Sequence, residues 1–282
     1  MDTKLGAGYN PIELSKAVEK LVSVDVGGAV ARKYFGFAPT RFYGGSATGY
    51  ATGCNLRCVY CWSLARNARA VGDYHKPVDV ARKLVGMASQ NGYRFARLSG
   101  GEPTIAVEHL LQLLDHLNMF RDIWRGVFIL ETNGILIGYD KRLAETLSRY
   151  RFVVARVSIK GCSEEEFHTI TGAEKSFFNT QIQAVKNLLD SGIETRVAIT
   201  ISFCKKETLA KLLERLATID AKLVDSMEIE YVKLYPAVQK RLCKKGLAPW
   251  IAIKPPDKIV DQEKFYELCR EEPQRSHSEG NS

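Results

Sequence analysis

The sequence predicts an α/β fold of parallel βα units, either an open sheet or a barrel, complete or partial, with an N-terminal helical extension and a C-terminal extension. Three observations carry that expectation. Between about residue 46 and residue 235, six short runs, most of them rich in β-branched or aromatic residues, alternate with segments of helix size. The chain has 282 residues, 45% of them hydrophobic and 26% charged, which is the balance of a globular protein with a sizeable core. Six such strands fall short of the number that closes a (β/α)8 barrel.

Taken in order, the first element is a helix from Asn10 to Val24, with Pro11 in its first turn and Ile12, Leu14, Val18 and Leu21 on one stripe. The expected strands are Ser46–Thr52, Arg94–Ser99, Gly126–Glu131, Phe152–Ile159, Thr195–Ser202 and Ser226–Leu234. Between them, Val80, Leu84 and Met87 mark one helix, starting at Pro77 and stopping at Gly92. Others follow at His109–Leu117, at Phe177–Ser191 before Gly192, and around Leu209, Leu212, Leu213 and Leu216. Pro255-Pro256 sets off a last helix, Asp257–Arg270. The expected organisation is an N-terminal helical extension over 1–45, a core over 46–235, a basic extension over 236–270 and a polar, disordered tail over 271–282.

The net charge is +8, and most of that excess lies between Tyr231 and Lys258. Such a stretch suits an acidic partner or nucleic acid, or is simply a solvated segment. No apolar run is long enough to span a membrane and the start lacks a secretory signal, so a cytoplasmic protein is expected. Of seven cysteines, Cys54, Cys58 and Cys61 are clustered, while Cys162, Cys204, Cys243 and Cys269 are scattered. An odd count without a secretion signal speaks against a disulfide framework and for a metal site.

The first strand runs directly into Gly53-Cys54-Asn55-Leu56-Arg57-Cys58-Val59-Tyr60-Cys61. Spacings of four and three residues let one loop turn three thiolates toward a common centre. A [4Fe–4S] cluster takes four thiolates, so three leave one iron open to an outside ligand. Structural zinc wants four ligands, and no second cysteine pair is present to complete them.

Cys54-x-x-x-Cys58-x-x-Cys61, with Tyr60 before the last cysteine, resembles the signature of the radical S-adenosylmethionine (radical SAM) superfamily. That resemblance implies a partial (β/α)6 barrel over roughly residues 46–235 and a [4Fe–4S] cluster on Cys54, Cys58 and Cys61, with S-adenosylmethionine on the open iron and Tyr60 at its adenine. It implies reductive cleavage to a 5′-deoxyadenosyl radical that takes hydrogen from a substrate, and a flavodoxin- or ferredoxin-type electron donor. Leu98-Ser99-Gly100-Gly101-Glu102-Pro103 looks like the family's GGEP motif, whose glycines admit close backbone approach and whose carbonyls suit an ammonium group. Glu131-Thr132-Asn133-Gly134 resembles a stretch of the glycyl-radical-enzyme activases that helps hold S-adenosylmethionine. Ser158-Ile159-Lys160 stands where activases have an acid and a lysine; Lys160 matches the carboxylate-binding lysine, and Ser158 replaces the acid.

Each of these motifs falls at the C-terminal end of a successive expected strand, where parallel α/β folds build their sites. The sequence is therefore read as a radical SAM enzyme, closest in motif to the activases, acting on a peptide or small molecule. Trp62 after the last cysteine and the basic stretch keep RNA as an alternative substrate, although tRNA wybutosine synthases use N-terminal cysteines and none precedes Cys54. From a different class, a non-catalytic zinc or iron–sulfur protein explains the cysteines alone. Cys162, two residues beyond Lys160, is a candidate hydrogen-atom donor to a product radical. Lys240, Arg241, Lys244 and Lys245 are expected to cover the mouth of the site or meet an acidic macromolecule.

Overall fold

The computed structural model describes residues 8–271. Its strands are β1 Ser23–Val26, β2 Ala29–Thr40, β3 Ser46–Ala51, β4 Asp73–His75, β5 Phe95–Gly100, β6 Val127–Thr132, β7 Val153–Lys160, β8 Thr195–Thr200, β9 Glu228–Glu230, β10 Val232–Lys233, β11 Ile251–Lys254 and β12 Lys258–Asp261. One sheet runs in the order β1-β2-β3-β5-β6-β7-β8-β9, with β4 on β2. From β3 to β9 every neighbouring pair is parallel. These are the parallel βα units that the alternation predicts, arranged as the partial barrel that the family resemblance implies, open between its edge strands.

The two faces of the parallel strands differ sharply. Alanine, leucine, phenylalanine, valine and isoleucine side chains such as Ala47, Leu98, Phe128, Leu130, Val157, Ile159 and Val197 are buried toward the helices. Their neighbours along each strand point the other way and are polar: Thr48, Arg97, Glu131, Arg156 and Ser158. The inner face mixes these polar groups with Ile129 and Ala198, so it is the continuously apolar outer face that the helices cover. Leu84, Leu110, Leu113, Leu114 and Leu117 contribute about 1.5–3 kcal/mol each by leaving water.

Helix ends follow their local chemistry. Asn10 Oδ1 accepts from the amides of Ile12 and Glu13 and starts the helix Pro11–Val22. Ser163 caps Glu164–Thr171, which opens with three glutamates and ends at a left-handed Gly172. Leu21, expected on the apolar stripe of the first helix, is 57% exposed instead.

Three expectations need correcting. Residues 23–40, expected within a helical extension, form the antiparallel hairpin β1–β2 around Gly27-Gly28, and β2 pairs β3 to enlarge the sheet. The expected strand Ser226–Leu234 divides: Glu228–Glu230 closes the large sheet, while Val232–Lys233 joins β11 and β12 in a second, three-stranded sheet. Residues expected to begin the last helix form β12, and the helix itself is Gln262–Glu271. The expected tail, beyond Glu271, lies outside the described residues.

The cysteines also differ from expectation. Cys162 is bonded to Cys204, and Cys243 to Cys269, leaving Cys54, Cys58 and Cys61 free. The count is odd because three cysteines serve the loop and the other four are paired. Alkylation of the unfolded apo-protein without reductant should therefore modify three cysteines by intact mass, and seven after reduction. Seven without reduction would overturn the pairing.

Candidate functional site

The loop from Gly53 to Cys61 lies over the C-terminal ends of the parallel strands, and its two limbs are held differently. Gly53 has a left-handed φ of 92° and packs so closely on the first helix that a Cβ there would stand 2.8 Å from Val18 Cγ1. Its amide donates to Asn67 Oδ1 at 3.2 Å, and its carbonyl accepts from the Glu102 amide at 2.8 Å. Buried Asn55 accepts from Asn133 Nδ2 at 2.7 Å. Farther along, the Arg57 amide donates to Tyr9 Oη at 2.8 Å and the Val59 amide to the Ile170 carbonyl at 2.8 Å.

Glu102 is the node beneath this loop. Its carboxylate is 2% exposed and accepts four hydrogen bonds: from the Thr104 amide and hydroxyl, from the Thr132 hydroxyl at 2.7 Å, and from the Asn133 amide at 2.7 Å. Fully buried Arg32 donates to the carbonyls of Thr52, Glu102 and Pro103. The ends of β2, β3, β5 and β6 are thereby tied together. Gly101 is required by this crowding, because a Cβ would fall 2.2 Å from the Gly53 carbonyl oxygen. The Gly100 carbonyl, expected to be free for an ammonium group, already accepts from Ser63 Oγ at 2.7 Å and Asn67 Nδ2 at 3.0 Å.

On β7, Lys160 Nζ donates to Ser158 Oγ at 2.5 Å, and Ser158 Oγ donates to Glu230 Oε2 at 3.1 Å. Arg156 forks between Glu228 at 2.7 Å and Glu230 at 2.9 Å. Burial alone would raise the Glu230 pKa, but the charges of Lys160 and Arg156 outweigh it and bring the group down to about 2. Gln181, fully buried, donates to the Asn133 and Ser158 carbonyls and accepts from the Lys160 amide, so one side chain locks the ends of β6 and β7.

The three free thiols fit an iron–sulfur cluster better than a single ion. Zn–S bonds of about 2.3 Å in a tetrahedron bring sulfurs to roughly 3.8 Å. Among the described residues, the one His, Cys, Asp or Glu trio converging within 4.8 Å is Cys162, Glu166 and Cys204; the loop thiols stand wider apart than that. Burial pushes the Cys54 thiol up and brings Cys58 to about 12 despite the nearby charge of Lys160, so both need a bound cation to ionise. The Leu56 amide stands 3.4 Å from Cys54 as a donor, while Ser63 Oγ, whose hydrogen goes to the Gly100 carbonyl, lies 3.4 Å from Cys61 as an acceptor. Tyr60 Oη and Asn55 Nδ2 are buried there without any hydrogen-bond partner, although such groups are costly to leave unpaired.

Two expected site residues lie elsewhere in function. Cys162 carries no thiol hydrogen to donate, because its sulfur is bonded to Cys204. Glu131 points to the opposite strand face from Thr132, and its carboxylate accepts from Arg97 at 2.5 Å and Tyr43 at 2.6 Å. In the basic stretch, Arg241 is turned inward onto the loop rather than toward a partner. Residues that the sequence reading missed include Arg32, Asn55, Asn67, Arg156, Gln181 and Glu230. A signal existed for Arg156 and Glu230: polar residues at every second position of otherwise apolar strands mark the inner face.

Comparison with known proteins agrees with this geometry. The profile of the Radical SAM superfamily matches residues 50–219. GTP 3′,8-cyclase of Clostridium perfringens (strain SM101 / Type A) is 27% identical over 188 residues, 66% of this chain and 56% of the relative. The same enzyme of Clostridium botulinum (strain Hall / ATCC 3502 / NCTC 13319 / Type A) is 29% identical over 120 residues, 42% of this chain and 35% of the relative. The chain thus spans little more than half of the length of these relatives at most. Among solved structures, Streptococcus suis SuiB bound to the precursor peptide SuiA shares the fold, with a TM-score of 0.50 and 20% identity over 63% of this chain and 36% of that one. No helix among the described residues is long and apolar enough to cross a membrane.

Two outcomes follow for the apo-protein. Glu102→Gln turns one acceptor into a donor facing donors, and should cost about 3 kcal/mol in urea unfolding; a change within about 0.5 kcal/mol would sink that role. For Glu230, the unfolded chain takes up a proton near pH 4.5 while the folded one waits until about 2. Its contribution is therefore complete above pH 4.5 and lost as pH falls toward 2. Across that window Glu230→Gln should flatten the wild-type fall in stability; identical slopes would refute the assignment.

Proposed function

The chain belongs to the radical SAM superfamily, and on that premise we propose an enzyme whose Cys54, Cys58 and Cys61 hold the cluster at the rim of the barrel. Tyr60, Gly100, Gly101, Glu102, Thr132, Asn133, Ser158 and Lys160 form the S-adenosylmethionine site around it. The observation that carries this reading is the pair of orphaned donors, Tyr60 Oη and Asn55 Nδ2, buried beside three free thiols. When bound, the cluster and S-adenosylmethionine supply a 5′-deoxyadenosyl radical that abstracts hydrogen from the substrate.

The chain's own residues divide the remaining work. Lys160 is the cation of the rim with donors to spare: its ammonium has three donors and one protein hydroxyl partner, so it can take a carboxylate. Glu102 acts from below, fixing Thr132 and Asn133 and so the wall of the site. The Leu56 amide donor at the Cys54 sulfur tunes the potential at which an electron is accepted. Burial of the loop excludes water and so protects a reactive species. A flavodoxin- or ferredoxin-type protein is the electron donor in this reading.

For the substrate, the inner face favours a small polar molecule over an activase-type peptide. Thr132 and Asn133, the residues that suggested the activases, are engaged with Glu102 and Asn55. What the barrel presents instead is a charged floor of Arg97, Arg156 and Lys160 against Glu131, Glu228 and Glu230. The cyclase relatives are named for GTP. Here both arginines are already neutralised by glutamates, so the proposal does not extend to a triphosphate.

Anaerobic reconstitution with iron and sulfide, then S-adenosylmethionine and dithionite, should yield 5′-deoxyadenosine from the wild type and none from Cys58→Ala. A protein that binds about four irons per chain and forms no product would overturn the reading. Lys160→Met should raise the KM for S-adenosylmethionine about tenfold or more, with a smaller change in kcat; an unchanged KM would remove Lys160 from the site.

A further inference from the structure

The second limb of the cysteine loop, bonded to Tyr9 and Ile170, is gripped in addition by the C-terminal part of the chain. Val59 packs into a small core with Val232, Leu234, Val238, Leu242, Val260 and Phe265, all from residues beyond the parallel sheet. On the helix Pro236–Lys245, Arg241 Nε donates to the Val59 carbonyl at 3.0 Å, and its Nη2 donates to the Cys61 carbonyl. These bonds cross 182 and 180 positions of sequence. Among the described residues Arg241 forms no ion pair with a carboxylate, so the two carbonyls are its acceptors. Two residues on, Cys243 is bonded to Cys269 and fixes this helix to the last one.

We propose that Arg241 is a positioning residue for the cluster: its planar fork grips the carbonyls on either side of Tyr60 and thereby sets the aim of Cys58, Tyr60 and Cys61. The geometry suits a guanidinium, whose Nε and Nη donors lie in one plane at fixed spacing, and not a lysine ammonium. The first limb, with Cys54, is tied to Asn67, Glu102 and Asn133 and does not depend on it. Loss of Arg241 therefore frees two of the three thiols and leaves the third in place. The inference rests on the cluster reading given above, but its first test needs no cluster.

The test uses the full chain as wild type, Arg241→Met, Arg241→Lys and, as a control on the same helix, exposed Lys244→Met. In the apo-protein, alkylation of each loop cysteine is followed by peptide mass spectrometry. Two hydrogen bonds from a charged donor are lost, so Cys58 and Cys61 should react about tenfold faster or more in Arg241→Met, with Cys54 unchanged. Arg241→Lys should fall between, and Lys244→Met should match the wild type. After reconstitution, Arg241→Met should hold less iron, and its reduced electron paramagnetic resonance signal should respond differently to added S-adenosylmethionine.

Wild-type alkylation rates in Arg241→Met would overturn the proposal. So would equal acceleration at all three cysteines with a collapsed melting transition, since that marks general unfolding. If the selective acceleration appears but the wild type assembles no cluster, the grip on the loop stands and the cluster reading falls. If the wild type assembles its cluster and Arg241→Met is indistinguishable from it in all readouts, the grip falls and the cluster reading stands.

Discussion

A carboxylate that is almost wholly out of water must be surrounded by donors, and the architecture of this site follows from that requirement at Glu102. An unpaired buried charge costs several kcal/mol. Here four donors from the following turn and from the end of β6 converge on the two oxygens. Beneath them Arg32, with no exposed surface, donates to the backbone carbonyls of Thr52, Glu102 and Pro103 at the strand ends. The rim is therefore shaped before any ligand arrives. Loops that elsewhere would be loose are fixed by satisfied polar groups, and preorganisation of this kind is what a site gains from buried networks.

The inner face obeys a different constraint. Its arginines and glutamates alternate from strand to strand, so Arg97 meets Glu131 and Arg156 meets Glu228 and Glu230. Each pair lies between neighbouring strands or reaches across β8, so charge is balanced locally and the sheet can present a polar face without accumulating repulsion. Tyr43 adds to this floor from the connection between β2 and β3, holding an unusual positive φ of 59° while its hydroxyl donates to Glu131 and Phe42 lies over Arg97. A non-glycine residue in that conformation costs of order 1–3 kcal/mol, which those two contacts offset.

Much of this was legible in the sequence because the informative patterns were local. Strand–helix alternation located the parallel strands; at their ends Cys54, Cys58 and Cys61 stood out by spacing, and Gly101, Glu102 and Lys160 by resemblance to family motifs. Local patterns fail where the partner is distant. Gly27-Gly28 is an ordinary turn signal, but nothing nearby says that the hairpin it makes will add to β3. The strand Ser226–Leu234 looks continuous, but its alternation flips phase at Tyr231-Val232, from polar Glu228 and Glu230 to apolar Val232 and Leu234, and there the structure divides it. Glu131 was misjudged by strand parity, since it and Thr132 are adjacent in sequence and opposite in space. Arg241 carries no motif at all, and only the folding of the last segment against the loop brings it to Val59.

The pairing of Cys162 with Cys204 and of Cys243 with Cys269 has a bearing on how such a protein matures. Iron and sulfide recognise thiolates with little regard for position, and a chain carrying seven of them invites misloading. With four sulfurs covalently occupied, the nascent chain offers an assembly apparatus one unambiguous address, the short stretch from Cys54 to Cys61. Pairing and metallation thus divide the cysteines between them, four to covalent cross-links and three to the loop.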